Sequence, residues 1–112
     1  MGLVARVIEA AGIPTVVLTM MPAYQRSVGM PRVAAIEHPF GRPLGDVGHV
    51  DVQRAVLRAA LAVFERAREP GHVEHLPFRW HEDPAQTRWH PAEPAPIMAL
   101  MQKRRERASP GR

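Results

Sequence analysis

Pro31-Arg32-Val33-Ala34-Ala35-Ile36-Glu37, followed by His38-Pro39-Phe40-Gly41-Arg42-Pro43-Leu44-Gly45, is the stretch whose reading decides the fold. The apolar run Val33–Ile36 is too short for a helix, prolines and glycines close it, and a strongly helical segment begins near Asp51. Strand, stiff loop and helix in that order predict a small α/β domain. In such domains ligands bind at the loops leaving the carboxyl ends of strands, where side chains and helix amino termini converge. The loop from His38 to Gly48 is also longer than the roughly 2–6 residues usual for such a connection, which makes it the candidate site.

Working back from Pro31, Pro22 to Val28 suits a short helix with proline in its first turn and Gly29 after its end. Before it, Ile13 to Thr19 is rich in β-branched residues without alternation, as a strand buried on both faces would be. Gly2 to Ala11 sets Leu3, Val4, Val7, Ile8 and Ala11 at helical spacing and stops at Gly12, a residue suited to a left-handed cap. A helix in that place normally arrives from a preceding parallel strand. The pattern therefore leaves two alternatives, a missing first strand or a small domain that begins with a helix.

Working forward, the longest helix is expected from Asp51, as its amino cap, to about Glu69. Val52, Val56, Ala59, Ala60, Val63, Phe64 and Ala67 make its apolar face, Leu57 and Leu61 widen that face, and Pro70-Gly71 ends the helix. Beyond Gly71 periodicity fades. Residues 72–95 read as a proline-rich extended arm that packs Leu76, Phe78 and Trp80 on something apolar, and Pro96 to about Arg107 as a short helix with a basic tail. The resulting division is an α/β domain over 1–71, resembling half of a Rossmann fold, then the arm over 72–95 and the terminal helix over 96–112.

Composition sets limits on function. At 112 residues, 46% hydrophobic and 23% charged, the chain is one domain or part of one. The net charge of +4 comes largely from Lys103, Arg104, Arg105, Arg107 and Arg112. No aromatics are interleaved with these cations, so a solvated helix end is favoured over a nucleic-acid surface. The absence of cysteine excludes thiol nucleophiles, disulfides and thiolate metal ligands within the chain. With neither a signal segment nor an apolar run near the roughly 20 residues that span a bilayer, a soluble cytoplasmic protein is expected.

Within the candidate loop, Gly41, Gly45 and Gly48 allow backbone amides to approach a ligand, and the first amides of the Asp51 helix suit an anion. The glycine order is neither a dinucleotide fingerprint nor a P-loop. Arg42 is the natural partner for a small carboxylate-bearing substrate, because its fork holds two oxygens at once. The alternative is a proline- and glycine-shaped turn with a solvated arginine. The six histidines, His38, His49, His72, His75, His81 and His90, fall into no metal-ligand spacing, so no metal is expected. Ser27 and Ser109 have no elbow or committed base.

Three stretches together resemble a known family. They are Gly2-Leu-Val-Ala-Arg-Val-Ile-Glu-Ala-Ala-Gly12-Ile-Pro-Thr-Val16, then Gly29-Met-Pro-Arg-Val33, then Pro39-Phe-Gly-Arg-Pro-Leu-Gly45 with Gln53-Arg-Ala-Val-Leu57. They are similar to the selenoprotein B subunits of the glycine, sarcosine, betaine and D-proline reductases and their shorter relatives. The resemblance implies thiol- or selenol-dependent reductive cleavage of a carbon–heteroatom bond. It puts a selenocysteine or cysteine at the start of the helix matching Gly2–Ala11, where free amides and the helix dipole stabilise the anion.

That position falls just before Met1, so the chain departs from the family at its reactive residue. An internal methionine after a selenocysteine codon, a misassigned start, or a catalytically inert relative that binds a partner would each account for this. The resemblance further implies that the Gly2 and Leu3 amides face the nucleophile, that Phe40, Gly41, Arg42 and Gly45 bind substrate, and that His38 donates a proton. It also implies a protein partner or homo-oligomer. In glycine reductases a pyruvoyl group on another subunit activates the substrate, and this chain has no counterpart of it. A non-catalytic α/β interaction module is the competing reading.

Overall fold

The computed structural model describes residues 2–88, 93 and 95–108, in the order α1 (Gly2–Ala10), β1 (Val17–Thr19), α2 (Pro22–Ser27), β2 (Arg32–Glu37), α3 (Val50–Arg66), β3 (His72–Arg79) and α4 (Pro96–Ala108). The strands form one parallel sheet in the order β1-β2-β3. This is a small α/β fold with flanking helices and a C-terminal helix. Met1, the run from Trp89 through His90 to Ala92, Pro94, and the end of the tail from Ser109 to Arg112 lie outside the described residues.

β2 is central, which explains its unbroken apolar run. Successive side chains of a strand point to opposite faces, and both faces here are covered. Val33 packs with Ala5 of α1, Met30, Val17, Val28 and Val73. Ala34 packs with Ala60 and Val63 of α3 and with Leu76 of β3. At Ala34 the small side chain lets α3 approach the sheet closely.

α1 and α2 end alike. Gly12 donates to the Glu9 carbonyl and Ile13 to that of Ile8, while Gly29 donates to Arg26 and Met30 to Gln25. Both are Schellman closures whose turning residue needs positive φ, and the glycines supply +86° and +80°. Beyond Gly12 only Val17–Thr19 pairs, so β1 is shorter than the β-branched run from Ile13 suggests. The cause is local: Pro14 has no N–H, and the Thr15 N–H and hydroxyl both donate to the Glu9 carboxylate, which also takes Arg32 Nη1 at 2.7 Å. Glu9 thereby ties α1 to the start of β2.

α3 begins two residues earlier than its sequence suggests. His49 occupies the amino-cap position without a side-chain bond, and Asp51 lies in the first turn, where its charge complements the helix dipole. The helix stops at Arg66 rather than Glu69, because Ala67 is already extended and Glu69 precedes proline. Val56, Ala60 and Val63 are its buried stripe. Leu57 and Leu61 stay exposed instead of widening the contact.

The segment after Gly71 is extended, and its first eight residues are the third strand rather than an arm. Arg32 to Ala35 pair with His72 to His75, and after a register shift Glu37 pairs with Arg79. Pro77, the histidines and Glu74 hid this strand: they break the apolar run, and proline within a sheet is confined to an edge, a strand's first residue or a bulge. β3 is also pinned to α3 by Arg66, whose Nε and Nη2 donate to Glu74 at 3.0 and 2.5 Å.

Candidate functional site

The carboxyl end of β2 opens into a shaped loop. His38 and Pro39 are buried, His38 being only 4% exposed, whereas Phe40 is 54% exposed. His38 Nδ1 lies 3.0 Å from the Pro43 carbonyl oxygen. A carbonyl only accepts, so Nδ1 carries the hydrogen; Nε2 has no hydrogen-bond partner among the described residues. Two tight turns follow, with the Arg42 amide donating to Pro39 and the Gly45 amide to Arg42, each at 3.1 Å. The loop is anchored to α3 by Gln53 Nε2, which donates to the Asp46 carbonyl at 2.8 Å.

His38, Pro39 and Phe40 line a largely apolar pocket of about 380 Å³ with Met20, Ile36 and Glu37, closed by Pro84 and Ala85. Met20 directly follows β1, and Pro84 comes soon after β3, so all three strands feed this edge. Trp80 supports it from behind. Its amide donates to the Glu37 carbonyl at 3.1 Å, its ring stands edge-on to His38 at 5.3 Å and 65°, and the His81 ring is tilted against it at 4.7 Å and 37°. The indole Nε1 is buried and has no acceptor among the described residues.

Arg42 does not line this pocket. Its guanidinium is paired with the Asp46 carboxylate four residues on, both side chains being partly exposed. To hold a carboxylate ligand through Nη1 it must leave that partner. Gly41 and Gly45 shape the turns, and Gly45 also abuts Val52 of α3. At the start of α3, Gly48, His49 and Val50 border a separate hollow of about 370 Å³ with Asp51 in its wall, a charge that works against binding an anion there.

Gly2 and Leu3 line a different cavity, of about 860 Å³, between α1 and α2. A Cβ on Gly2 would lie 3.2 Å from Met30 Cε. Met30 precedes β2 and His38 follows it, and at about 3.3 Å per strand residue the two stand roughly 25 Å apart. The helix amino terminus and the loop, read from sequence as two walls of one site, are therefore at opposite ends of the central strand in this structure.

Among the other histidines, His72 Nε2 is 3.4 Å from Glu74 and His75 is exposed. Among the described residues no three His, Cys, Asp or Glu gather as a metal would need, and no helix is long and apolar enough to cross a membrane. Sequence reasoning missed Trp80, His81 and Asp46 as parts of this edge. The aromatic-histidine pair directly after an extended run was the available signal for the first two.

No family model and no solved structure matches the chain. Over 78 residues, 70% of the chain, it is 30% identical to D-proline reductase subunit gamma of Acetoanaerobium sticklandii. Those residues cover 32% of that subunit, so the chain spans about a third of the length of the relative it matches. The chain is thus distantly similar to a subunit of a reductase, a similarity that supports a related reductase family and no particular member of it.

Proposed function

We propose that the chain is a scaffold portion of a thiol- or selenol-dependent reductase of the selenoprotein B type, with its substrate wall at the carboxyl edge of β2. The observation that carries the reading is the buried, tautomer-fixed His38 on a pocket at that edge, in a chain similar to a reductase subunit. The 112 residues contain no cysteine, so the selenocysteine or cysteine belongs to a segment or subunit outside them, as does any pyruvoyl group. The chemistry supplied from outside is attack on carbon by a selenolate or thiolate and its regeneration by a second thiol.

The chain's own residues do the rest. His38, its Nδ1 hydrogen held by the Pro43 carbonyl, takes a proton at Nε2 from the incoming thiol or selenol as it ionises and passes that proton to the departing heteroatom. Pro39 and Phe40 keep water from the reacting carbon, and Arg42, exchanging Asp46 for the substrate, holds its carboxylate in the bidentate geometry that guanidinium favours. Gly41 and Gly45 let the backbone come close. Gly2 and Leu3 enter this arrangement only if α1 shifts its amino end when the missing wall is present.

In the assembly isolated from its source cells, Arg42→Ala raises KM for a carboxylate substrate by tenfold or more and lowers kcat less. An unchanged KM removes Arg42 from the site. A second reading, a non-catalytic α/β interaction module, draws on the exposure of Leu3, Val4 and Val7 on α1 and on α4, which buries none of its residues. Thiol-dependent turnover that tracks the loop variants decides against it.

A further inference from the structure

We infer that Trp80 is a positioning residue for His38: its indole holds the imidazole so that Nε2 stays turned to the pocket while it takes up and releases a proton. The hydrogen bond from Nδ1 to the Pro43 carbonyl fixes the tautomer but is a single tether. A ring held at one nitrogen swings about that bond and carries the opposite nitrogen through an arc. His38 lines the pocket and Pro43 does not, so Nε2 is the nitrogen that such a swing would displace. A second contact is needed to stop the swing, and the Trp80 ring, edge-on at 5.3 Å and 65°, supplies it. That separation and tilt lie within the range that aromatic pairs prefer.

The strand that delivers Trp80 is irregular at this point. Ala35 pairs with His75 and Glu37 with Arg79, so two steps along β2 answer four along β3. Bulges re-aim side chains and are common beside active sites. Were the register of Arg32 to Ala35 continued, Glu37 would face Pro77, and Phe78 would donate to the Glu37 carbonyl where the Trp80 amide now does. The shift instead leaves Phe78 against the cluster of Ala34, Ala60, Val63 and Leu76 and brings Trp80 beside His38.

Packing alone does not account for a tryptophan here. Its Nε1 is a buried donor without an acceptor among the described residues, a cost to stability that phenylalanine would avoid. The indole also meets the His81 ring at 4.7 Å, and its backbone is tied to Glu37, so the group that braces His38 is itself held. Trp80 does not line the pocket and acts on a substrate only through His38. The inference rests on the reductase reading for its effect on turnover, and the first arm of its test does not use activity.

In the first arm the full chain carries isotope-labelled histidine, and NMR follows exchange of the His38 Nδ1 hydrogen with water, its resonance assigned by its loss in His38→Asn. Each variant is measured well below its melting temperature. Trp80→Leu is expected to speed that exchange at least tenfold, while the Arg42 and Gly45 amides of the same loop keep their rates within twofold. Trp80→Phe, which keeps a ring beside His38, recovers most of the loss. In the second arm, the native assembly carrying Trp80→Leu shows a kcat at least tenfold lower with KM within twofold, and Trp80→Phe again recovers most of it. If Trp80→Leu does not fold, Trp80→Met fills the space without a ring and makes the same test. Unchanged exchange at His38, loop amides that accelerate with it, a Trp80→Phe chain no better than Trp80→Leu, or an unchanged kcat in the Trp80→Leu assembly would each overturn the inference. A wild-type assembly without thiol-dependent turnover overturns the reductase reading instead, and the first arm then decides the positioning role by itself.

Discussion

Gly41 and Gly45 both sit at positive φ, +81° and +112°, but they stand in different surroundings. A Cβ on Gly41 would meet nothing within 4 Å, whereas one on Gly45 would lie 3.2 Å from Val52 Cγ1. Gly41→Ala should cost about 1 kcal/mol, the strain of a left-handed L-residue. Gly45→Ala should cost more than about 2 kcal/mol, with part recovered by Val52→Ala. Urea denaturation of the three variants measures both, and equal costs would remove the contact with α3 from the account. The sequence marked both glycines as loop-shaping; it could not show which one touches the helix, because that contact depends on how α3 lies. The same holds for Arg42, whose partner Asp46 is plain at four residues' distance only once the chain between them is seen to turn.

Glu9 shows how one side chain's titration reports on a whole contact. Burial pushes its carboxyl up, but hydrogen bonds from the Thr15 N–H and hydroxyl, with the charge and hydrogen bond of Arg32, outweigh this and hold it below 4.5. The folded state therefore binds this proton less tightly than the unfolded chain. Its contribution is complete above the unfolded value and is lost as pH falls through the lower folded one. Glu9→Gln should lower stability at pH 7 and flatten the decline on acidification below 4.5. Glu74, lowered by its hydrogen bond to Arg66, supplies the part that remains. Melting temperature against pH for both chains measures this, and parallel curves would contradict it.

Among the elements, the central strand was the most legible. The apolar run Val33–Ile36 is the buried middle of the observed strand Arg32–Glu37, because a strand covered on both faces writes itself as an uninterrupted apolar run. β3 was not legible as a strand, since an edge position admits the proline and charges that erase the pattern. Helical periodicity located α3 but overstated its contact. Leu61 lies in the apolar stripe and yet is 58% exposed, while Leu76, in a segment without periodicity, is buried against Ala60 and Val63. Leu76→Ala should accordingly cost roughly 2–5 kcal/mol and Leu61→Ala less than about 0.5 kcal/mol. Chemical denaturation decides this, and comparable losses would mean that α3 is rotated from its described placement.

For the whole molecule, the carboxyl edge of the sheet gathers a fixed histidine, an apolar pocket and a paired arginine, while the chain carries no thiol of its own. The site was legible from sequence as a loop and a strand end. Trp80 and His81 were not, because their part in it depends on β3 joining the sheet. The central claim is that this edge is one wall of a reductase site completed from outside the 112 residues. Its most direct measurement is thiol-dependent reductive cleavage of D-proline and glycine by the native assembly, carrying either wild-type chain or His38→Asn, alongside the isolated chain. The account predicts no turnover by the isolated chain, turnover of at least one substrate by the wild-type assembly, and a kcat at least tenfold lower with His38→Asn at unchanged melting temperature. Turnover by the isolated cysteine-free chain, or full activity of the His38→Asn assembly, would contradict it.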